Sequence, residues 1–418
     1  MSAHEIDKYA EAFFPMVWYG EKGYPEQVNS GRCYMTGLVG MLRYYGEPDI
    51  LFSDGTSGDG FSFRWCPAWG APAFNGGKGP FHELWEYTPQ ALGYKGHWEE
   101  DPEGGWDEAF AQLCALIDRD IPVQVATHYS LIRPYGDATS PALALRGRRP
   151  GAKYASGHHI VIGGYDLKAG TVTIFEPNDI LPHARYRCPI DVFRRAWEGA
   201  AQRNAANRYE EWPYHHAWTD GDTLHDGYGP YQMMWVEPGR DPNWDIAVSI
   251  RHSYRRNLKI LRGDYPKPYA LFGNQWMIPH WETGAPGMAA CAEAVRSGKL
   301  KDVVTPRGET RHLFSQAQIP NHGVMGRAAA AGYLKRVATE LAKRNLDAQA
   351  VRAAADAMGR SSDLFRKLRY EDDLAKASEI FTRIAETELA ALAEMERGWA
   401  VVQTLPKETP AWRQSKVA

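Results

Sequence analysis

The pattern of apolar and polar positions changes character near residue 250. Before it, short apolar runs are separated by turn-rich stretches; beyond it, apolar residues recur at helical spacing. Leu38, Met41, Leu42 and Tyr45 fall on one face of a helix predicted to open at Cys33 and to end at Gly46. A second amphipathic helix is predicted over Trp106–Arg119, followed directly by the buried-strand pattern IPVQVAT at Ile121–Thr127. The runs HHIVIGGYD and TVTIFEP, joined by LKAG, predict a β-hairpin. A helix over Pro189–Gly199 and a strand over Tyr231–Pro238 complete this part.

The C-terminal part predicts helices over Gly287–Ser297, Met325–Arg344, Asp347–Met358 and Tyr370–Trp399, rich in Ala, Leu, Glu and Arg, as in a bundle. From Phe52 to Gly105, Gly, Pro and Trp interrupt every period. That stretch predicts long loops around a site, with one short helix in HELWEYTPQALGY. Together the patterns predict an α+β domain over residues 1–245 and an all-α domain over residues 246–418.

Composition narrows the chemistry. The 48 basic and 51 acidic residues leave a formal charge of −3, which gives no reason to expect a nucleic-acid partner. No basic and apolar leader opens the chain and no run of 18 apolar residues occurs, so a cytoplasmic protein without a membrane span is expected. The 15 Trp and 22 Tyr suit either a core or an aromatic-walled cleft. Neither GTSGDG nor NGGKG forms a P-loop and no GxGxxG follows a strand, so no nucleotide cofactor is expected. The pairs His158-His159 and His215-His216 lack HExxH or CxxC partners, and no metal is expected either.

Five cysteines, an odd number without CxxC spacing, argue against a disulfide framework and a structural zinc site. Cys66, Cys114, Cys188 and Cys291 read as structural. Cys33 stands apart because it opens a helix, where free N–H groups and the helix dipole favour a thiolate. Gly31 permits the turn into that helix, and the amide of Gln27 is placed to join the Cys33 N–H in holding an oxyanion. The hairpin supplies a base: His158 begins one strand, and the end of the next returns beside it. There Glu176, Asn178 and Asp179 are the candidates to accept from the imidazole and fix its orientation. Strand alternation allows only one of the adjacent histidines to face the cleft.

Gln27 followed by Gly31-Arg32-Cys33-Tyr34, then Gly157-His158 opening an apolar strand, Gly164-Tyr165-Asp166 and Glu176-Pro177, resembles papain-like cysteine enzymes of the type that trims bacteriocin leader peptides. The resemblance is closer still to cysteine acyltransferases of the butirosin-pathway type, in which a Tyr-Tyr-Gly-like stretch (here Tyr44-Tyr45-Gly46) ends the nucleophile helix and a helical domain follows. It implies a papain-like α+β domain, with the Cys33 helix packed on an antiparallel sheet bearing His158. It also implies acyl transfer through a thioester on Cys33 to a small-molecule amine in secondary metabolism. The family pattern selects His158 as base and places an Asp where Glu176 stands, which keeps Asn178 in contention. The implied substrate is a small-molecule or peptide-like acyl group, with an acyl carrier protein as candidate partner for the basic run Arg146–Arg149. A peptidase or amidase using the same pair, and a non-catalytic binding protein retaining the fold, are the alternatives.

Overall fold

In a computed structural model of the protein, the residues described are 2–13, 17–19, 25–27, 33–47, 49–66, 71–73, 81–99, 102–128, 131–132, 135, 157–177, 185–206, 230–264, 282–298, 303–304, 310–311, 318–371 and 373–407. The chain begins with β1 (Ala3–Glu5), α1 (Asp7–Phe13), β2 (Val17–Tyr19), β3 (Pro25–Gln27), α2 (Cys33–Tyr44) and α3 (Ile50–Ser57). It continues through β4 (Arg64–Cys66), β5 (Ala71–Ala73), α4 (Phe81–Ala91), β6 (Gly96–Glu99), α5 (Gly105–Ile117) and β7 (Val123–His128). Next are β8 (Gly157–Asp166), β9 (Thr171–Phe175), β10 (Arg185–Pro189), α6 (Ile190–Ala206) and β11 (Met233–Val236). The remainder holds α7 (Ile246–Arg262), β12 (Glu282–Thr283), α8 (Gly284–Arg296), β13 (Val303–Val304) and β14 (Thr310–Arg311). Three long helices close it: α9 (Gln318–Lys343), α10 (Gln349–Leu368) and α11 (Leu374–Val402).

These elements gather into two compact units. The first takes Met1–Ile50, Tyr94–Arg208 and Asp226–Gly239; the second takes Leu51–Gly93, Tyr209–His225 and Arg240–Ala418. Leu51–Gly93 thus groups with Arg240–Ala418, where the sequence expectation draws a single boundary at residue 245.

In the first unit the sheet runs β10-β9-β8-β7-β11-β6, with β1 beside the far end of β8. All its pairings are antiparallel. The predicted hairpin is β8–β9, in register from Asp166↔Thr171 to Val161↔Phe175 across a bulge between Ile162 and Gly164. Residues His158 to Tyr165 are buried without a break, so β8 is covered on both faces. Strand β10 was not expected, although its alternation is legible: Tyr186 and Cys188 are buried while Arg187 is exposed.

Helix α2 lies along the sheet because glycine permits it. Gly37 sits directly over β7 and β8, where an added Cβ would come 1.9 Å from Gln124 Oε1 and 3.2 Å from Val161 Cγ2. Gln124 and Val161 are cross-strand partners, which fixes the face that α2 covers. Tyr9 of α1 joins this core edge-on to Tyr44 and Phe175. The architecture is α+β, an antiparallel sheet with a cysteine-bearing helix upon it, and a largely helical second unit.

The second unit explains why Leu51–Gly93 leaves the first. Phe52, Phe61 and Phe63 are buried, and Phe52 stacks on Tyr333 of α9. Gly55 presses against the same tyrosine, whose Cβ would lie 2.2 Å from an added methyl. Ser57, Thr56 and Ser62 are equally buried, each hydroxyl donating to the carbonyl three residues earlier. The predicted loop is thus a buried helix and turn. At its end, Arg327 of α9 donates to the carbonyls of Gly60 and Ser62 at 3.0 and 2.9 Å and grips Glu388 of α11 through two bonds of 2.7 Å. Ser361 Oγ also donates to Glu388, at 2.8 Å, so a carboxylate and a guanidinium in a dry core both find partners. Helix α7, absent from the sequence expectation, packs in the same unit and is capped by the Asp245 side chain. Among the described residues no helix is long and apolar enough to cross a membrane.

Candidate active site

Cys33 is the first residue of α2, so its N–H and those following lack intrahelical acceptors. The helix runs along β8 with its N-terminus near the start of that strand: Gly37 overlies Val161, and Cys33 stands beside His158 and His159. Cys33 is partly exposed, whereas both histidines are buried.

His158 Nε2 lies 2.7 Å from Glu176 Oε1, with the carboxylate 1% exposed just beyond the end of β9. The hairpin thus returns Glu176 to His158, as the four-residue connection predicts. The extra methylene relative to the expected Asp does not prevent contact. Cys33, His158 and Glu176 form one continuous line of interacting side chains.

The electrostatics follow from burial and neighbours. Burial alone would raise the Cys33 thiol, but the charge of His158 and a hydrogen bond to it, assisted by His159, bring it down to about 5. Burial would likewise lower the His158 imidazolium; the Glu176 carboxylate first, then Cys33, hold it up at about 10. Between these limits the pair exists as thiolate and imidazolium. The other described thiols behave oppositely. Cys114 and Cys188 are each pushed up to about 12, by burial and by Asp118 and Asp191 respectively. Burial, then Glu282, raises Cys291 as well.

Alternation predicted a single histidine at the cleft, and the structure differs. His159 Nδ1 is 3.8 Å from Cys33 Sγ, and its ring meets Tyr34 edge-on at 5.9 Å. Register puts His159 on the face that α2 covers, and His158 beside it at the start of β8 reaches the sulfur as well. The doubled histidine in the sequence was the available signal. Of the remaining expectations, Gln27 ends β3, and its side chain lies outside the described residues. Asn178, Asp179, Arg146–Arg149 and His215-His216 also lie outside them. Among the described residues no group of three or more His, Cys, Asp or Glu is disposed to hold a metal ion.

A cysteine opening a helix, packed on an antiparallel sheet whose edge-of-strand histidine is braced by a carboxylate, defines the papain-like cysteine-enzyme class. Consistent with this, the model of the Peptidase_C39-like family matches residues 24–205, which include Cys33, His158 and Glu176. Residues 24–205 are thus similar to a cysteine-peptidase-type domain. No curated protein is significantly similar to the chain.

Proposed function

We propose that the protein is a cysteine-nucleophile enzyme that transfers an acyl group through a thioester on Cys33, with a small-molecule amine as acceptor. The observation that carries this reading is the buried His158–Glu176 pair, set against a thiol held ionised at neutral pH. The Cys33 thiolate attacks the carbonyl carbon of a thioester or amide, and the oxyanion forms against the Cys33 N–H and the Gln27 amide. As the tetrahedral adduct collapses, the imidazolium of His158 gives its proton to the leaving thiolate or amine. The acceptor amine then attacks the acyl-enzyme and loses a proton to neutral His158. Expulsion of the Cys33 thiolate restores the starting ion pair, with Glu176 keeping the imidazole oriented throughout.

Acyl transfer to an amine rests on the resemblance to butirosin-pathway acyltransferases. The peptidase-type family match favours a second reading, in which water replaces the amine and the same residues hydrolyse an amide or thioester. Intact-protein mass spectrometry after exposure to acyl thioesters tests both readings. An acyl adduct on Cys33, absent in Cys33→Ala, is expected. Discharge of that adduct by added amines to the amide supports transfer. Discharge only to the free acid, whatever amine is present, assigns hydrolysis. Turnover by Cys33→Ala would refute the mechanism.

A further inference from the structure

We propose that His159 is a second imidazole acting on the nucleophile: it holds the Cys33 sulfur from the sheet side, while His158, tied to Glu176, handles the proton. This rests on the reading of Cys33 as nucleophile. The geometry gives the two rings different tasks. His158 is bound to a carboxylate at 2.7 Å, as an acid–base group must be if its ring is to stay in one orientation. His159 instead presents Nδ1 to Sγ at 3.8 Å, within reach of a sulfur hydrogen bond.

The neighbours of His159 suit a fixed donor. His159 is 1% exposed, so its position is fixed by packing. Its cross-strand partner is Ala126, and Tyr34 meets it edge-on. Strand register places His159 on the same face as Gln124 and Val161, the face that α2 covers. His159 therefore approaches the sulfur from beneath the helix.

A hydrogen bond from Nδ1–H to a thiolate is strong while sulfur carries charge and weak once sulfur is acylated. His159 thus stabilises the free thiolate and the thiolate leaving during deacylation, and also limits the rotamers open to Cys33. That stabilisation has a recognisable cost, because a thiolate made less basic is intrinsically less nucleophilic.

The test is the pH dependence of iodoacetamide alkylation at Cys33 in the full-length protein, followed by peptide mass spectrometry. The wild type should show an inflection near pH 5. In His159→Phe the inflection should rise by about one unit while the plateau rate increases about threefold, so that the two profiles cross. His159→Gln, which restores an N–H donor, should return part of the way. His158→Gln should move the inflection furthest, towards the ordinary thiol range. A His159→Phe profile that superimposes on the wild type, or falls uniformly at all pH values, overturns the proposal. A wild-type inflection already in the ordinary thiol range would overturn the nucleophile reading itself.

If His159→Phe fails to fold, the wild type still decides. With 15N-labelled histidine, alkylation of Cys33 should shift the signals of two imidazoles, whereas a shift in only one excludes contact with His159.

Discussion

At Cys33 and His158 the chemistry is set by a contest that burial alone would lose. Desolvation favours neutral thiol and neutral imidazole, and mutual charge plus Glu176 reverses both preferences. The sign of the pH dependence follows. Below about 5 the thiolate takes up a proton and the proposed nucleophile is lost; above about 10 the imidazolium gives up its proton and the proposed acid is lost. Activity, measured as kcat/KM across pH, should therefore rise through the first value and fall through the second, each limb belonging to the coupled pair. Glu176→Gln keeps a hydrogen-bonding group but removes the charge that raises His158 most. Its alkaline limb should move down from about 10 towards the ordinary 6.5, and kcat should fall more than KM rises. An unmoved alkaline limb would mean that Glu176 is not the group bracing the base.

At the scale of elements, the decisive joint is α2 on β7 and β8. Gly37→Ala would drive a methyl into the buried Gln124 amide, whose nitrogen and oxygen have no hydrogen-bond partner among the described residues. The expected loss is about 1–3 kcal/mol, the usual range for overpacking, together with slower alkylation of Cys33 as α2 is lifted. Gln124→Ala in the same background should recover much of both losses, read by thermal denaturation and by labelling rate. Helix α2 and the β8–β9 hairpin were legible from sequence because their periods are clean and their ends carry turn residues. Glu176 was legible for the same reason, since the hairpin's length dictates what returns to His158. His159 was not, because alternation allows one of two neighbouring histidines at the cleft and the Gly-His pattern selects the other, although register puts His159 on the face that α2 covers. Helix α3 was hidden for another reason. Its Ser, Asp, Gly and Thr have weak helix propensity, and packing on α9 together with the Asn257 bond to the Gly55 carbonyl holds it as a helix. No local pattern announces such a partner.

At the scale of the molecule, the second unit is held by a buried ion pair as well as by its apolar core. Phe63, Met288, Phe365, Phe381 and Ile384 make up part of that core, while Arg327 and Glu388 lock α9 and α11 to the turn at Gly60–Ser62. Glu388→Ala should cost about 3–5 kcal/mol, because it strands a guanidinium in a dry interior. A double change, Arg327→Met with Glu388→Leu, should recover stability in thermal unfolding beyond that of the single variant. Recovery no greater than the single variant would show that Arg327's carbonyl bonds matter more than the charge pair. Composition and periodicity did foretell a helical C-terminal part; they did not foretell that Leu51–Gly93 belongs to it, since chain continuity is the natural assumption and only tertiary packing breaks it.

That interleaving reaches into the way the chain is made. A ribosome delivers Leu51–Gly93 well before Gln318–Lys343, and the intervening sequence includes most of the first unit's sheet. At about 5–20 residues per second, the phenylalanines around residue 60 wait on the order of tens of seconds for the helices that bury them. During that interval the nascent chain exposes an apolar segment directly downstream of the nucleophile helix. Safe passage through synthesis thus depends on late-arriving helices, and a chaperone that shields residues 51–63 would raise the yield of folded protein.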